Sequence, residues 1–154
     1  MPTPAETIAV RPARETDAVG LYALNEIFNG EGSNTLEVIE SSLKRNVDEI
    51  VSVACDGDHV VGFCCGQIFR SMCYAVNYGE LTELFVLDAY RRRGVGGRLI
   101  AHVESELGRR GAVAFRLLTG RDNRAAQALY RAHGYAELPE VLFRKGEPEG
   151  EDPL

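Results

Sequence analysis

Apolar residues recur at two different periods along this chain, and the change of period separates predicted helices from predicted strands. Early in the chain, apolar side chains recur every three to four residues, which is typical of helices with one buried face. Apolar runs with strand character follow, and Asp56-Gly57-Asp58 predicts a hairpin turn between two of them. The elements predicted for this half are a strand at 7–10, helices at 15–28 and 34–45, and strands at 50–55, 59–69 and 79–87.

Helical spacing returns in the second half of the chain. Four apolar residues spaced four apart predict an amphipathic helix that ends at Gly111; they are Val95, Leu99, Val103 and Leu107. The remaining predicted elements are a strand at 112–118, a helix at 122–132 and closing strands at 135–137 and 140–144. This order, without repeats or a linker, predicts one α/β or α+β domain.

Length and charge narrow the class of protein. The chain has 154 residues, enough for one core, so we expect a single domain at 1–146 and an acidic, flexible tail at 147–154. The formal net charge of −6 argues against nucleic acid as a partner, because binding a phosphate backbone needs a basic face. The sequence shows no signal peptide and no apolar run of membrane-spanning length, so we expect a cytoplasmic protein without a membrane partner.

The cysteines do not predict a metal site. None forms a C-x-x-C pair, and no histidine lies at zinc-ligand spacing from them. They are expected to be small buried apolar residues in a reducing compartment, with a catalytic cysteine as the lesser alternative. The four are Cys55, Cys64, Cys65 and Cys73.

The stretch that carries most chemical information joins an apolar strand to a glycine-rich turn and then to a helix. The strand ends near Leu87, and Arg-Arg-Arg-Gly-Val-Gly-Gly-Arg follows over residues 91–98. Such a junction presents backbone N–H groups at a helix start, and glycines let a phosphate approach them closely. The sequence therefore predicts a phosphate-bearing ligand.

Two common phosphate motifs fit this stretch poorly. A nucleoside-triphosphate loop needs Lys-Ser or Lys-Thr after its glycines, and neither is present. The dinucleotide fingerprint needs a third glycine where Leu99 stands, and its strand belongs to a βαβ unit rather than to a meander. A nucleotide-binding module is thus a weak alternative.

Two motifs in the correct order and separation indicate a third class. Residues 91–96 fit the pattern Q/R-x-x-G-x-G/A after a strand that ends in Phe85-Val86. A second pattern, N-x-x-A-x-x-L/F-Y-x-x-x-G-F/Y, is matched by Asn123, Ala126, Leu129, Tyr130, Gly134 and Tyr135. In these residues the chain resembles the GNAT superfamily of N-acetyltransferases, and the resemblance covers nearly the whole chain to about residue 144.

The resemblance implies a fold and a co-substrate. The fold would be a mixed, mostly antiparallel sheet of six to seven strands with about four helices, in which the strand at 84–86 splays from its parallel neighbour at 112–118. The co-substrate would be acetyl-CoA, its pyrophosphate held by the amides of 92–97 and by charge from Arg91 or Arg92. The residues implied in binding are Leu84, Phe85, Val86, Arg91, Arg92, Arg93, Gly94, Val95, Gly96, Gly97, Arg98, Asn123 and Tyr130, with no metal.

Two residues are expected to move protons. The resemblance places Tyr130 near the cofactor sulfur, where a neutral phenol can protonate a leaving thiolate; a core aromatic is the alternative. Glu83 is the preferred base for the amine, and Glu80 the second choice. Their odd spacing puts the two carboxylates on opposite faces unless a bulge intervenes. Asn123 also suits a helix N-cap, and both roles can hold together.

The expected function is transfer of an acetyl group from acetyl-CoA to a primary amine of a small molecule, by direct attack in a ternary complex. A polyamine, an aminoglycoside and an amino-acid-like amine all remain open as acceptors. Acetylation of a protein N-terminus or lysine, and a catalytically silent CoA-binding module, are the alternatives. A homodimer is left open.

Overall fold

One five-stranded sheet organises the part of the chain that this computed structural model describes, residues 7–146. The elements in chain order are β1 (Ile8–Pro12), α1 (Ala18–Asn29), α2 (Leu36–Arg45), β2 (Glu49–Asp56), β3 (His59–Phe69), β4 (Asn77–Val86), α3 (Val95–Arg109), β5 (Ala112–Leu117) and α4 (Arg124–Ala132). The strands lie side by side in chain order. All neighbouring pairs are antiparallel except β4 and β5, which are parallel and joined by α3.

Helix α3 forms one half of the core. Four side chains on its inner face are fully buried against the sheet: Leu99, Ile100, Val103 and Leu107. Burial of each contributes roughly 1.5–3 kcal/mol. Two glycines of the sheet allow this close approach, because a Cβ at Gly66 would lie 2.7 Å from Val103 and one at Gly79 would lie 2.8 Å from Leu107.

Helices α1 and α2 cover the opposite face. Leu21 and Leu24 of α1 pack against Val53, Phe63 and Phe85 of the sheet. The entry to α1 is fixed by a buried carboxylate: both Asp17 oxygens accept hydrogen bonds from the Arg11 guanidinium, at 2.7 and 2.8 Å. These hydrogen bonds hold the pKa of Asp17 below its usual value.

The pairing of β4 changes partway along its length. Beside β3, Glu83 pairs with Cys65 and Leu81 pairs with Gly66, so Thr82 is an extra residue and forms a β-bulge. Beside β5, pairing stops at Leu81, while β4 continues to Val86. The two parallel strands therefore separate beyond the bulge and leave an opening between β4 and the last strand of the sheet, β5.

Most elements predicted from periodicity are confirmed within a few residues. The mixed α/β class, the four α-helices and the splayed strand pair are all present. The expected six to seven strands were wrong for residues 7–146, where five are present. The two predicted closing strands, at 135–137 and 140–144, form neither helix nor strand, because no neighbouring strand in the described chain pairs with them.

Cys55, Cys64 and Cys65 are buried as expected, but Cys73 is exposed in the loop before β4. The tail at 147–154 and residues 1–6 lie outside the described residues. No described helix has the length and apolar character needed to cross a membrane.

Candidate active site

The turn between β4 and α3 has the backbone geometry of an anion cradle. Arg92 and Gly94 both adopt left-handed conformations, with φ of +59° and +77°. Helix α3 begins at once, and its first hydrogen bond runs from the Arg98 N–H to the Gly94 carbonyl at 3.1 Å. The preceding helical amides therefore have no partner within the helix. Such a turn and helix start present several N–H groups to one anion.

Arg92 holds a strained backbone. Within residues 7–146 it is the only non-glycine residue with positive φ. Left-handed geometry costs a residue with a Cβ about 1–2 kcal/mol, and such strain is concentrated at functional sites. The strain is consistent with selection of this turn for a ligand.

The three glycines of the turn serve different purposes. A Cβ at Gly94 would meet nothing within 4 Å, so the cradle is open and glycine is needed there for its positive φ. A Cβ at Gly96 would lie 3.3 Å from Leu129, and one at Gly97 would overlap the His133 ring. Gly96 and Gly97 therefore let α4 pack beside the start of α3. An open cradle of amides fits a phosphate group.

The arginines beside the cradle differ in their contacts. Arg91 Nε donates to the Val86 carbonyl at 2.8 Å, and its guanidinium pairs with Asp88 at 2.8 Å. Arg93 lies over the Tyr90 ring, 5.2 Å from its centroid. Arg92 makes no hydrogen bond or ion pair to residues 7–146. Arg91 thus braces the end of β4, and Arg92 is the better placed to supply charge to an anion.

A hydrogen bond that the sequence did not predict anchors the start of this turn to β2. The Tyr90 hydroxyl donates to Asp56 Oδ2 at 2.7 Å, which ties the residue before the arginines to the end of β2. The contact spans 34 residues of sequence, and no local pattern signals it.

The opening between β4 and β5 runs along residues 82–86, the part of β4 that leads into the cradle turn. Beyond Leu81, no strand lies beside β4 on its β5 side among residues 7–146. The predicted binding strand at Leu84, Phe85 and Val86 lies in this stretch, and it keeps its pairing with β3 on the other side. The Asn123 side chain caps α4 by accepting from the Ala126 N–H at 3.2 Å.

Tyr130 lies on α4 and is half-buried against the core that α3 forms with the sheet. Its ring packs edge-on against Tyr135, with centroids 6.1 Å apart. Burial raises the pKa of Tyr130 above its usual value, and the neighbouring Cys64 and Glu83 raise it further. The phenol is therefore protonated at neutral pH, as a proton donor must be.

A second tyrosine supports the first. The Tyr135 hydroxyl donates to Glu104 Oε1 at 2.6 Å, and the Tyr135 N–H donates to the Tyr130 carbonyl at 3.0 Å. Burial and the hydrogen bond to Glu104 raise the pKa of Tyr135 well above its usual value. Sequence reasoning missed Glu104; the available signal was a carboxylate on the otherwise apolar face of α3 and a hydroxyl at the last motif position.

The bulge at Thr82 decides whether the side chains of Glu80 and Glu83 lie on the same face of the sheet. Glu83 pairs with Cys65 and Glu80 with Gln67, and these partners lie two residues apart on β3. Glu80 and Glu83 therefore share one face of the sheet, which the spacing alone did not predict. Glu80 lies 3.9 Å from the Arg116 guanidinium, whereas the charge of Glu83 acts on Tyr130.

The two cysteines in the middle of β3 are unsuited to act as nucleophiles. Burial raises the pKa of the Cys64 thiol to about 12 and that of Cys65 well above its usual value, so both are neutral. No group of three or more His, Cys, Asp or Glu residues in this part of the chain is arranged to hold a metal ion.

The splayed sheet and the open amide cradle suit a protein that binds a phosphate-bearing ligand, and comparison with known proteins assigns the family. The profile of the acetyltransferase (GNAT) family matches residues 8–135, so this chain belongs to that family. The prediction of an acyl-CoA-dependent N-acyltransferase is thereby confirmed.

Two related proteins and one solved structure match this chain over most of its length. The uncharacterized N-acetyltransferase CT2212 of Chlorobaculum tepidum is 30% identical over 91% of this chain and 83% of its own length. An aminoglycoside N(6')-acetyltransferase type 1 of Klebsiella aerogenes is 28% identical over 88% of this chain and 95% of its own. The structure of AAC(6')-Iy with the bisubstrate analog CoA-S-monomethyl-acetylneamine superposes with a TM-score of 0.77 at 22% identity, covering 92% of this chain and 99% of that one.

Proposed function

We propose that this protein transfers an acetyl group from acetyl-CoA to a primary amine of a cationic small molecule, by direct attack of the amine. The observation that carries the proposal is an anion cradle at the end of β4, whose last residues have no strand on the β5 side, together with a half-buried Tyr130 close enough to Glu83 to feel its charge. The likeness to an aminoglycoside acetyltransferase and to a structure holding a CoA-linked analog supports it.

The chain's own groups would hold the co-substrate at two places. The amides of 92–97 and the Arg92 guanidinium would bind the pyrophosphate, since backbone N–H groups and a cation complement its charge. The backbone of Leu84–Val86 would hydrogen-bond the pantetheine arm along the open edge of β4. Acetyl-CoA supplies the thioester whose carbonyl the amine attacks.

Two residues would divide the proton transfers. Glu83, directly or through a water, would accept the proton of the arriving ammonium group, which frees the lone pair for attack. Tyr130 would donate its proton to the departing thiolate, because its raised pKa keeps it protonated at neutral pH. Glu80 is less suited as the base, since Arg116 already lies beside it.

The charge near the first two helices favours a cationic acceptor. Glu26 above all, and then Glu31 and Glu37, lie close enough to Tyr22 to raise its pKa, so the three carboxylates share one surface near the first two helices. The Glu26 carboxylate also accepts a hydrogen bond from the Gly32 N–H at 3.1 Å and so orders the loop after α1. A polycationic amine fits this surface better than a peptide N-terminus, which carries a single positive charge.

The test is an acceptor panel read by release of free CoA from acetyl-CoA. Aminoglycosides and polyamines are expected to accelerate CoA release, with N-terminal and lysine peptides as the comparison set. Faster release with peptides than with any small amine would reassign the acceptor class. Binding of acetyl-CoA without amine-dependent release across the whole panel would indicate a silent CoA-binding module.

A further inference from the structure

The strained turn of the cradle must be held in place by the fold before any ligand arrives. Arg92 has a φ of +59°, and such a conformation persists only where the surrounding structure fixes it. On the helix side, the turn is closed by Gly94, whose carbonyl accepts the first hydrogen bond of α3. On the strand side, the restraint must come from the residues between β4 and Arg92.

Tyr90 supplies this restraint, because it is fixed both at its backbone and at its hydroxyl. Its N–H donates to the Leu87 carbonyl at 2.8 Å, and the Leu87 N–H donates to the Val61 carbonyl of β3 at 2.9 Å. Its hydroxyl donates to Asp56 Oδ2, at the end of β2, at 2.7 Å. The residue two positions before Arg92 is therefore tied to two strands of the sheet, once through a hydrogen bond to a carboxylate, which is a strong type.

The acceptor of this hydrogen bond is itself held firmly. Asp56 pairs with Ile8 of β1 on one side and with His59 of β3 on the other. Its carboxylate forms no ion pair within the part of the chain that the structure describes, residues 7–146. The carboxylate of Asp56 is thus committed to the Tyr90 hydroxyl.

The ring of Tyr90 restricts a cation next to the cradle. The Arg93 guanidinium lies over this ring, 5.2 Å from its centroid, one residue before the left-handed Gly94. Among residues 7–146, Arg93 has no hydrogen-bond acceptor and no carboxylate partner. A cation is attracted to an aromatic face, so the ring limits the motion of the guanidinium and leaves its charge available to an anion.

We propose that Tyr90 is the positioning residue of the cradle: its hydrogen bond to Asp56 fixes the strained turn, and its ring holds Arg93 beside that turn for the phosphates of acetyl-CoA. This inference rests on the proposed function, in which acetyl-CoA is the co-substrate. Groups that are already ordered cost less to order on binding. The effect of Tyr90 therefore falls on phosphate binding and not on the proton transfers of Tyr130 and Glu83.

The test compares two substitutions of Tyr90 with two ligands. Tyr90→Phe keeps the ring and loses the hydroxyl, so the dissociation constant of acetyl-CoA should rise roughly tenfold, as expected for a lost hydrogen bond to a charged group. Tyr90→Leu loses the ring as well and should raise it further. Calorimetry would measure both. Pantetheine has no phosphate, so its weak binding, followed by NMR at millimolar concentration, should be unchanged in both variants.

Substitutions of the acceptor show whether the hydrogen bond itself is responsible. Asp56→Asn keeps an acceptor oxygen and should bind acetyl-CoA nearly as tightly as the native protein. Asp56→Ala should match Tyr90→Phe, and the two changes together should weaken binding no more than either alone, because they remove the same contact. Tyr22→Phe removes another hydroxyl that meets a carboxylate, that of Glu26 on α1, and should leave acetyl-CoA binding unchanged.

Turnover separates positioning from a purely structural role. With an acceptor amine from the panel, Tyr90→Phe should raise KM for acetyl-CoA and leave kcat at saturation as it was. Native affinity in Tyr90→Phe, equal losses for acetyl-CoA and pantetheine, or a loss confined to kcat would each overturn the positioning role and leave the proposed acetyl transfer standing. Failure of the native protein to bind acetyl-CoA would instead contradict the proposed function, and this inference with it.

Discussion

At the scale of single residues, the proton donor can be tested without disturbing the packing. In Tyr130→Phe the ring still packs against Tyr135, but the hydroxyl is gone. The value of kcat should fall about 10²–10⁴-fold, the usual contribution of a general acid, while KM for acetyl-CoA changes little. Steady-state kinetics at saturating amine would measure both. Full activity in the variant would return Tyr130 to a purely structural role.

The proposed base has a matched control three residues away. Glu83→Gln removes the proton acceptor and should flatten the acidic limb of the rate–pH profile, because that limb reports protonation of the base. Glu80→Gln, which lies on the same face beside Arg116, should leave the limb in place. If the two variants exchanged these results, the base would be Glu80; if neither moved the limb, a bound water would be indicated.

How far the site could be predicted is also clearest at this scale. The turn into α3 was predictable because a strand that runs straight into a helix through a left-handed turn favours glycine, as at Gly94, while the binding of a ligand there stays a prediction. The common face of Glu80 and Glu83 was not, because it depends on one extra residue in the pairing of β4 with β3. The Tyr135–Glu104 bond joins groups 31 residues apart, and local patterns carry no record of such contacts.

At the scale of elements, the turn before α3 can be tested by comparing a glycine in the turn with a glycine inside the helix that follows. Gly94 has φ of +77°, so Gly94→Ala should destabilise the protein by about 1–2 kcal/mol and weaken acetyl-CoA binding. Gly108 lies within α3 with open space around it, so Gly108→Ala should stabilise it by up to about 1 kcal/mol.

Urea unfolding and a binding titration would separate the two effects. A Gly94→Ala protein that binds acetyl-CoA as tightly as the native one would show that the left-handed turn is not required for the ligand. The Gly108→Ala protein should bind normally and serves as the reference for a glycine change outside the cradle.

Elements were predictable from sequence wherever their own periodicity decides them. Helix α3 and the β2–β3 hairpin follow from patterns contained within each segment, and both are confirmed. The closing strands failed for a physical reason, since a strand exists only when another strand pairs with it. An apolar alternating pattern records that a segment suits a sheet, but not where the neighbouring strand comes from.

At the scale of the whole molecule, a ligand that binds only the folded chain must raise its stability by mass action. Acetyl-CoA at about 100 times its dissociation constant should add about 2.7 kcal/mol. For a domain of this size that corresponds to a rise in melting temperature of roughly 5–10 °C. Pantetheine, which lacks the pyrophosphate, should give a much smaller shift because it cannot use the cradle at 92–97. An equal shift with both ligands would place the binding energy along β4 instead, and no shift at millimolar acetyl-CoA would contradict its proposed role as co-substrate.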